Sequence, residues 1–452
     1  WSFYALVGVA IAYGSFRRGR TPLISSVFAP FLGEHKTTGP VGKTIDIFSI
    51  LVTLFGTAAS LGLGALQIGH GVELVSGIGE LGNGVLIAVI AVLTACFIAS
   101  AASGVAKGIQ ALSNINSVAA MILALFVFFV GPSLLILNLL PGIAFQFISD
   151  LPMMMGRSGA QGEATEQFLA SWTIFYWAWW ISWSPFVGMF IAKISRARTI
   201  RQFVLVVIAV PSLISLIWFA IFGTTAIDQQ LGGAGLATSP PENVLFGVLE
   251  NLPLTEITYI VLMLLIAIFF ITGADSASLI MGTMSQQGDP TPKRWVTVTW
   301  GTLVGVIAAV LLVTGAEGSG LRALQNVTII AALPFAVILV FMMVALMKDL
   351  RRDPLILRDA YGRKALRHSV RTGLEEYGDD FALVPSEYDH SQDEHPWVEE
   401  PSDEAFTEVF ETASAPIITV DADAALTDPD APDGSFSEVD RGEEAGPNNT
   451  AV

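Results

Sequence analysis

Charge is scarce in this chain. Of 452 residues, 14% are Asp, Glu, Lys or Arg, while 53% are hydrophobic. A soluble domain cannot be covered with so little charge, so the composition points to a polytopic membrane protein. Cysteine is almost absent too. The single Cys96 lies in an apolar stretch, which rules out an intrachain disulfide and reads as a small core residue. The five histidines are scattered and give no metal-cluster spacing. No Gly-x-Ser-x-Gly, phosphate-binding loop or His-Glu-x-x-His occurs, so the chain is read as something other than an enzyme. Nothing is basic or extended enough for nucleic acid.

What is present is long apolar segments. Spans of about 20 residues fall at 1–16, 44–70, 83–105, 115–140, 168–192, 202–224, 254–283, 295–316 and 325–347, nine in all. With the loop after the first span placed in the cytoplasm, the inside segments hold twelve basic residues: Arg17, Arg18, Arg20, Lys36, Lys43, Lys107, Lys193, Arg196, Arg198, Arg201, Lys293 and Arg294. The outside segments hold only Arg157 and Arg322, so the alternation obeys the positive-inside rule. Trp1 then lies outside, in mid-helix, and an odd number of upstream spans is expected to precede it. The outside loops 141–167 and 224–253 contain stretches that can form short surface helices.

The formal charge of −17 belongs to the tail. Residues 348–371, with eight basic and three acidic side chains, read as a juxtamembrane segment on anionic lipid. Residues 372–452 carry one basic and 23 acidic residues and are expected to be a disordered cytoplasmic tail. The transporter core is therefore 1–347.

Three segments carry candidate chemistry. Trp177, Trp179, Trp180 and Trp183 crowd one apolar helix just before Ser184-Pro185. Two readings stand. One is an aromatic belt at a bilayer boundary. The other is a cage for a quaternary ammonium ion, held by ring faces beside a helix that the proline is expected to break. In the second span Thr53, Thr57 and Ser60 fall on one helical face. They either bond their own backbone in a small-residue packing face or offer oxygens to a hard cation such as sodium. Near the end of the seventh span, Asp275 is ionisable inside an apolar helix, with Thr272 and Ser276 one turn apart. Asp275 is either part of an ion site or bonded to backbone or an arginine.

The run Thr173–Gly188, followed by Ile194-Ser195-Arg196-Ala197-Arg198-Thr199-Ile200-Arg201, resembles the signature of the betaine/carnitine/choline transporters. The second span, the Ala274-Asp275-Ser276 segment and the opening Trp1-Ser2-Phe3-Tyr4 also fit, so the resemblance covers about 1–347. It implies an all-α membrane protein with the inverted-repeat fold of sodium-coupled amino-acid transporters, with nine of twelve spans present and the first three missing. It implies a substrate box of Trp179, Trp180 and Trp183 with Trp1 and Tyr4. One sodium site would comprise Thr53, Thr57 and Phe186, and a second Phe269 and Thr272. Gly273 departs from the family, since a betaine symporter has Ser there; Ala197 and Gln202 replace the usual Gly and Glu. The implied activity is sodium-driven import of a quaternary-ammonium or zwitterionic compatible solute, glycine betaine or ectoine. A proton-coupled choline importer, a precursor–product antiporter and an osmosensor without transport stay open beside it. A homotrimer in the cell membrane, with a cytoplasmic C-terminus, is also implied.

Overall fold

The computed structural model describes residues 1–383 except 78, 80, 81, 104, 105 and 315–319. The chain divides into two units, Trp1–Leu350 and Arg351–Val452. Among the described residues it is all helix and turn, with no strand.

The first unit holds α1 (Ser2–Ala12), α2 (Pro40–Ser76), α3 (Asn83–Ser103), α4 (Ala106–Val130), α5 (Ser133–Met155), α6 (Phe175–Ile194), α7 (Ile200–Leu231), α8 (Val244–Glu250), α9 (Thr255–Ser285), α10 (Arg294–Thr314) and α11 (Gly320–Arg351). Eight of them, α2–α5, α7 and α9–α11, are long and apolar enough to cross a membrane. Their outward faces carry large apolar side chains such as Phe129, Leu134, Phe145 and Phe219. Water would not tolerate that surface, and lipid does.

Local chemistry sets the helix ends. Pro40 starts α2, where a missing N–H costs nothing, and Gly77 ends it in the left-handed region at φ 67°. α1 runs into a π turn at Tyr13–Arg17, and a second π turn at Leu169–Ile174 leads into α6. Thr199 and Gln202 form a reciprocal capping box at the start of α7.

Two expectations are corrected. Residues 115–140 are not one span: α4 stops at Val130, Gly131-Pro132 turns the chain, and α5 continues to Met155 through most of the expected loop. Pro132 is the residue that cannot extend the preceding helix, whereas Pro141 and Pro152 are tolerated inside α5. Nor does Pro185 break α6. Its absent N–H would have bonded the Ile181 carbonyl, and the Ser184 hydroxyl donates to that oxygen instead at 2.6 Å.

Three apolar clusters form the interior, the smallest of them joining α1 and α7 through Tyr4, Val9, Phe203 and Val207. Of the other two, one joins α1, α2, α6, α9, α10 and α11 around Leu61, Ile280, Phe335 and Met342. The other joins α4, α5, α7, α8 and α9 around Val127, Phe246 and Leu249. The most extensive pairings are α2 with α9 and α1 with α6. Gly56 lets α2 approach Ser182 and Trp183 on α6, and Gly188 lets α6 approach Val7 and the backbone of Gly8; a methyl group at either position would collide.

The ends bearing most of the arginines are fastened by charge. Arg20 makes a two-pronged bond to the buried Asp349 carboxylate at 2.6 and 3.3 Å, with Arg18 Nε 3.4 Å from the same group. Tyr13 Oη and Arg18 Nη2 donate to the Asp349 carbonyl. Lys348 Nζ donates to the Pro30 carbonyl at 2.6 Å. Lys348 and Asp349 thus belong to the bundle, and the unit boundary falls at 350, beyond the expected 347. In the second unit α12 (Pro354–Tyr377) is capped by Asp353, whose carboxylate accepts from Leu355 N–H at 2.8 Å. Of the expected acidic tail, 384–452 lie outside the described residues.

Candidate functional site

α6 turns about 100° per residue, which sorts its tryptophans. Trp179 and Trp183, one turn apart, share a face, and Trp180 is next to it. Trp177 points away, is exposed, and packs on Phe3 at 5.5 Å. The other three line one cavity of about 670 Å³. Trp1 and Tyr4 from α1 line it as well, so the structure brings all five expected substrate residues together.

The rings form two walls. On one, Trp180 stacks on Tyr4 at 5.3 Å and meets the edge of Trp1 at 5.2 Å. On the other, Trp183 lies parallel to Phe269 at 6.5 Å and edge-on to Trp179 at 6.3 Å. The Trp179 indole is fixed by its Nε1–H, which donates to Ser60 Oγ on α2 at 2.8 Å. The Trp183 Nε1–H is buried and makes no hydrogen bond. Among the described residues the lining contains no carboxylate and no Lys, Arg or His. A compact cation able to hydrogen-bond would exchange its hydration there for little more than the amide oxygens of Gln67 and Asn116. A quaternary ammonium has no N–H to satisfy and is stabilised by ring faces.

The hydroxyl row of α2 is on one face as expected. Thr53 donates to the Ser49 carbonyl, Thr57 to Thr53, and Ser60 to Gly56, at 2.8, 2.8 and 3.1 Å. Each hydroxyl proton goes to its own helix, leaving oxygen lone pairs as acceptors. Beside the aromatic cavity, a void of about 10 Å³ is bordered by Thr57, Ser60, Trp183, Phe186, Phe269 and Gly273. Thus Thr57, Phe186 and Phe269 from the two expected ion sites share one void. Thr53, fully buried a turn away, and Thr272 do not border it. The Thr272 hydroxyl donates to the Ile268 and Phe269 carbonyls at 2.9 and 3.1 Å. Asp275 is half-buried and, among the described residues, has neither the backbone bond nor the arginine that one reading gave it.

Sequence reasoning missed Tyr176 on α6, Gln67 on α2, Asn116 on α4, Trp218 on α7 and Phe270 on α9, all of which line the large cavity. Tyr176 adjoins the tryptophan run and was accessible by extending that face one turn. Gln67 and Asn116 are amides in apolar helices, a polar signal weaker than charge. Trp218 stands alone in α7 and carries no spacing signal.

A family model described as BCCT, betaine/carnitine/choline family transporter, matches residues 1–355. The chain is 51% identical over 386 residues to the betaine/ectoine transporter LcoP of Corynebacterium glutamicum, an overlap covering 85% of this chain and 61% of that protein. It is 44% identical over 354 residues to the glycine betaine transporter OpuD of Bacillus subtilis, covering 78% of this chain and 68% of OpuD. With the ectoine/glycine betaine/proline transporter EctP of C. glutamicum it shares 38% identity over 393 residues, 83% of this chain and 62% of EctP.

Proposed function

The chain belongs to the betaine/carnitine/choline transporter family, and from the cavity it carries we propose that it serves in the import of a small zwitterionic compatible solute of the glycine betaine or ectoine type. The observation that carries this is the aromatic cavity itself: six aromatic side chains from α6, α1 and its cap Trp1 around a space with no Asp, Glu, Lys, Arg or His among the described lining residues. Each good ammonium–ring contact contributes roughly 0.5–2 kcal/mol. The names of LcoP, OpuD and EctP support the same solute class.

Sodium is the proposed coupling ion. The void beside Trp183 has about the volume of one probe sphere, which suits one small ion or one water. Thr57 and Ser60 offer neutral hydroxyl oxygens to it, a donor set suited to a hard cation of single charge. Gly273 adds no side-chain oxygen. An ion held by neutral groups alone releases readily, as a coupling ion must. The inverted-repeat arrangement, alternating access around a midplane site and the cytoplasmic placement of the arginine-rich ends complete the proposal.

The test is uptake of labelled glycine betaine, ectoine and choline by the full-length protein in liposomes. Expected is accumulation of betaine or ectoine under an inward sodium gradient, lost when the gradient is collapsed. Accumulation of choline alone under a proton gradient would replace this reading with the choline importer. Absence of counterflow for every solute would favour a sensor.

A further inference from the structure

The helices that line the aromatic cavity enclose a second one, of about 250 Å³, farther along. On α1 and its π turn the two cavities are marked by Tyr4 and Ser15, on α6 by Trp183 and Lys193, and on α9 by Phe270 and Thr283. At ~1.5 Å per residue the second cavity lies about 15–20 Å beyond the first. The offset has the same sign on all three helices, so they run parallel and form a common wall for both spaces.

The second cavity has a different chemistry. Apolar surface comes from buried Ile11, Met189 and Ile280. Thr283 is 3% exposed and its hydroxyl has no hydrogen-bond partner. Ser15 Oγ is likewise buried without a partner. A hydroxyl hidden from water normally finds a partner, so two orphans on one cavity mark a place where something else supplies it. Ser15 sits in the π turn, a distortion often found at functional positions. Lys193 is exposed to solvent at this cavity, and its Nζ donates to the Pro290 carbonyl at 3.0 Å, leaving two of its three donors. Among the described residues no carboxylate lines the space, and Phe16 is its one aromatic residue.

We propose that this cavity is a second binding station, on the release path, for the carboxylate end of a small zwitterionic solute, with Lys193 supplying the charge and Ser15 and Thr283 the hydroxyl donors. It rests on the transport reading above. The two stations are complementary: the first has rings for the ammonium and no cation for the carboxylate, the second a cation and no ring cage. A solute passing between them exchanges one partial set of partners for another and is trapped by neither.

The test uses the full chain with Cys96→Ala and Ser15→Cys, the new thiol reporting on the second cavity. Its reaction rates with an anionic (sulfonatoethyl) and a cationic (trimethylammonioethyl) methanethiosulfonate are compared. The anionic reagent is expected to be favoured, and Lys193→Gln to reduce that preference about tenfold, equivalent to ~1.4 kcal/mol. Glycine betaine should slow the reaction, whereas choline, which has the ammonium and no carboxylate, should not. That protection should vanish in Lys193→Gln and weaken in Thr283→Val, while quenching of tryptophan fluorescence by betaine persists. A charge preference indifferent to Lys193→Gln overturns the station. So does a betaine that quenches fluorescence yet leaves the thiol unprotected. A parent protein whose fluorescence betaine does not quench counts against the aromatic-cavity reading instead; protection by acetate then decides the station, which falls if acetate gives none.

Discussion

Trp183 borders both the large cavity and the small void, and its indole N–H is buried unpaired. Trp183→Leu keeps apolar bulk and removes the ring quadrupole, so solute affinity should fall by about tenfold, or ~1.4 kcal/mol. Trp177→Leu, on the outward face, is the control and should leave affinity unchanged; equal losses in the two variants would show that the cage assignment is wrong. Gly273 raises the opposite question. A Cβ there meets nothing within 4 Å, so a serine fits without displacing a neighbour. Gly273→Ser adds an oxygen beside the void, and the sodium concentration for half-maximal uptake is expected to drop. Thr57→Ala should raise it. If neither variant moves the sodium dependence, the void is not the ion site. Ala197 is in the left-handed region at φ 65°, where a side chain costs roughly 1 kcal/mol relative to glycine. That gives the family's usual glycine a physical reason and makes Ala197→Gly a stabilising change, readable as a rise in Tm.

At the scale of the element, α6 shows how a helix survives an internal proline. Ser184 replaces the donor that Pro185 lacks, and Ser182 donates to the Trp179 carbonyl at 2.6 Å in the same stretch. Ser184→Ala would leave the part-buried Ile181 carbonyl without this bond, at a cost of about 0.5–1.5 kcal/mol. In the double variant Ser184→Ala/Pro185→Ala the backbone N–H returns and much of that loss should be recovered. A double variant no more stable than Ser184→Ala would show that the hydroxyl does not act through the carbonyl. The amphipathic logic of soluble helices is weak here, because both faces are apolar and lipid and protein interior look alike to the pattern.

For the whole molecule, the clamp of Arg18 and Arg20 on Asp349 ties the end of α1 to the end of α11, more than three hundred residues apart in the chain. Asp349→Asn leaves two poorly exposed guanidinium groups without their main counter-charge and should cost about 2–3 kcal/mol, seen as a lower Tm in detergent. The clamp also decides where the C-terminal unit can be removed. A chain ending at Lys348 loses Asp349, whereas one ending at Leu350 keeps it. The basic segment gains about 1 kcal/mol per Lys or Arg near anionic lipid, and salt screens that attraction. We propose that this lipid contact makes transport responsive to osmotic strength, so the chain ending at Leu350 is expected to transport without that response. A normal response to hyperosmotic shock in that chain would make the unit a passive extension.

The sequence by itself determined the class of protein, the run of apolar helices, the tryptophan face and the family, because these depend on composition and on residues close together in one helix. It also placed Trp179, Trp180, Trp183, Trp1 and Tyr4 on one site, though only through resemblance, since nothing local joins α1 to α6. Tertiary structure alone decided the rest. Pro132 ends a helix where Pro185 does not, although a serine hydroxyl reaches the orphaned carbonyl at both, Ser133 that of Phe128 and Ser184 that of Ile181, each at 2.6 Å. Thr57 and Phe186 meet Phe269 and Gly273 around one void, while Thr53 and Thr272 do not, because contact between helices depends on their crossing and not on spacing within either. The second cavity was illegible for the same reason: Ser15, Lys193 and Thr283 are ordinary residues in sequence, and only three parallel helices bring them together.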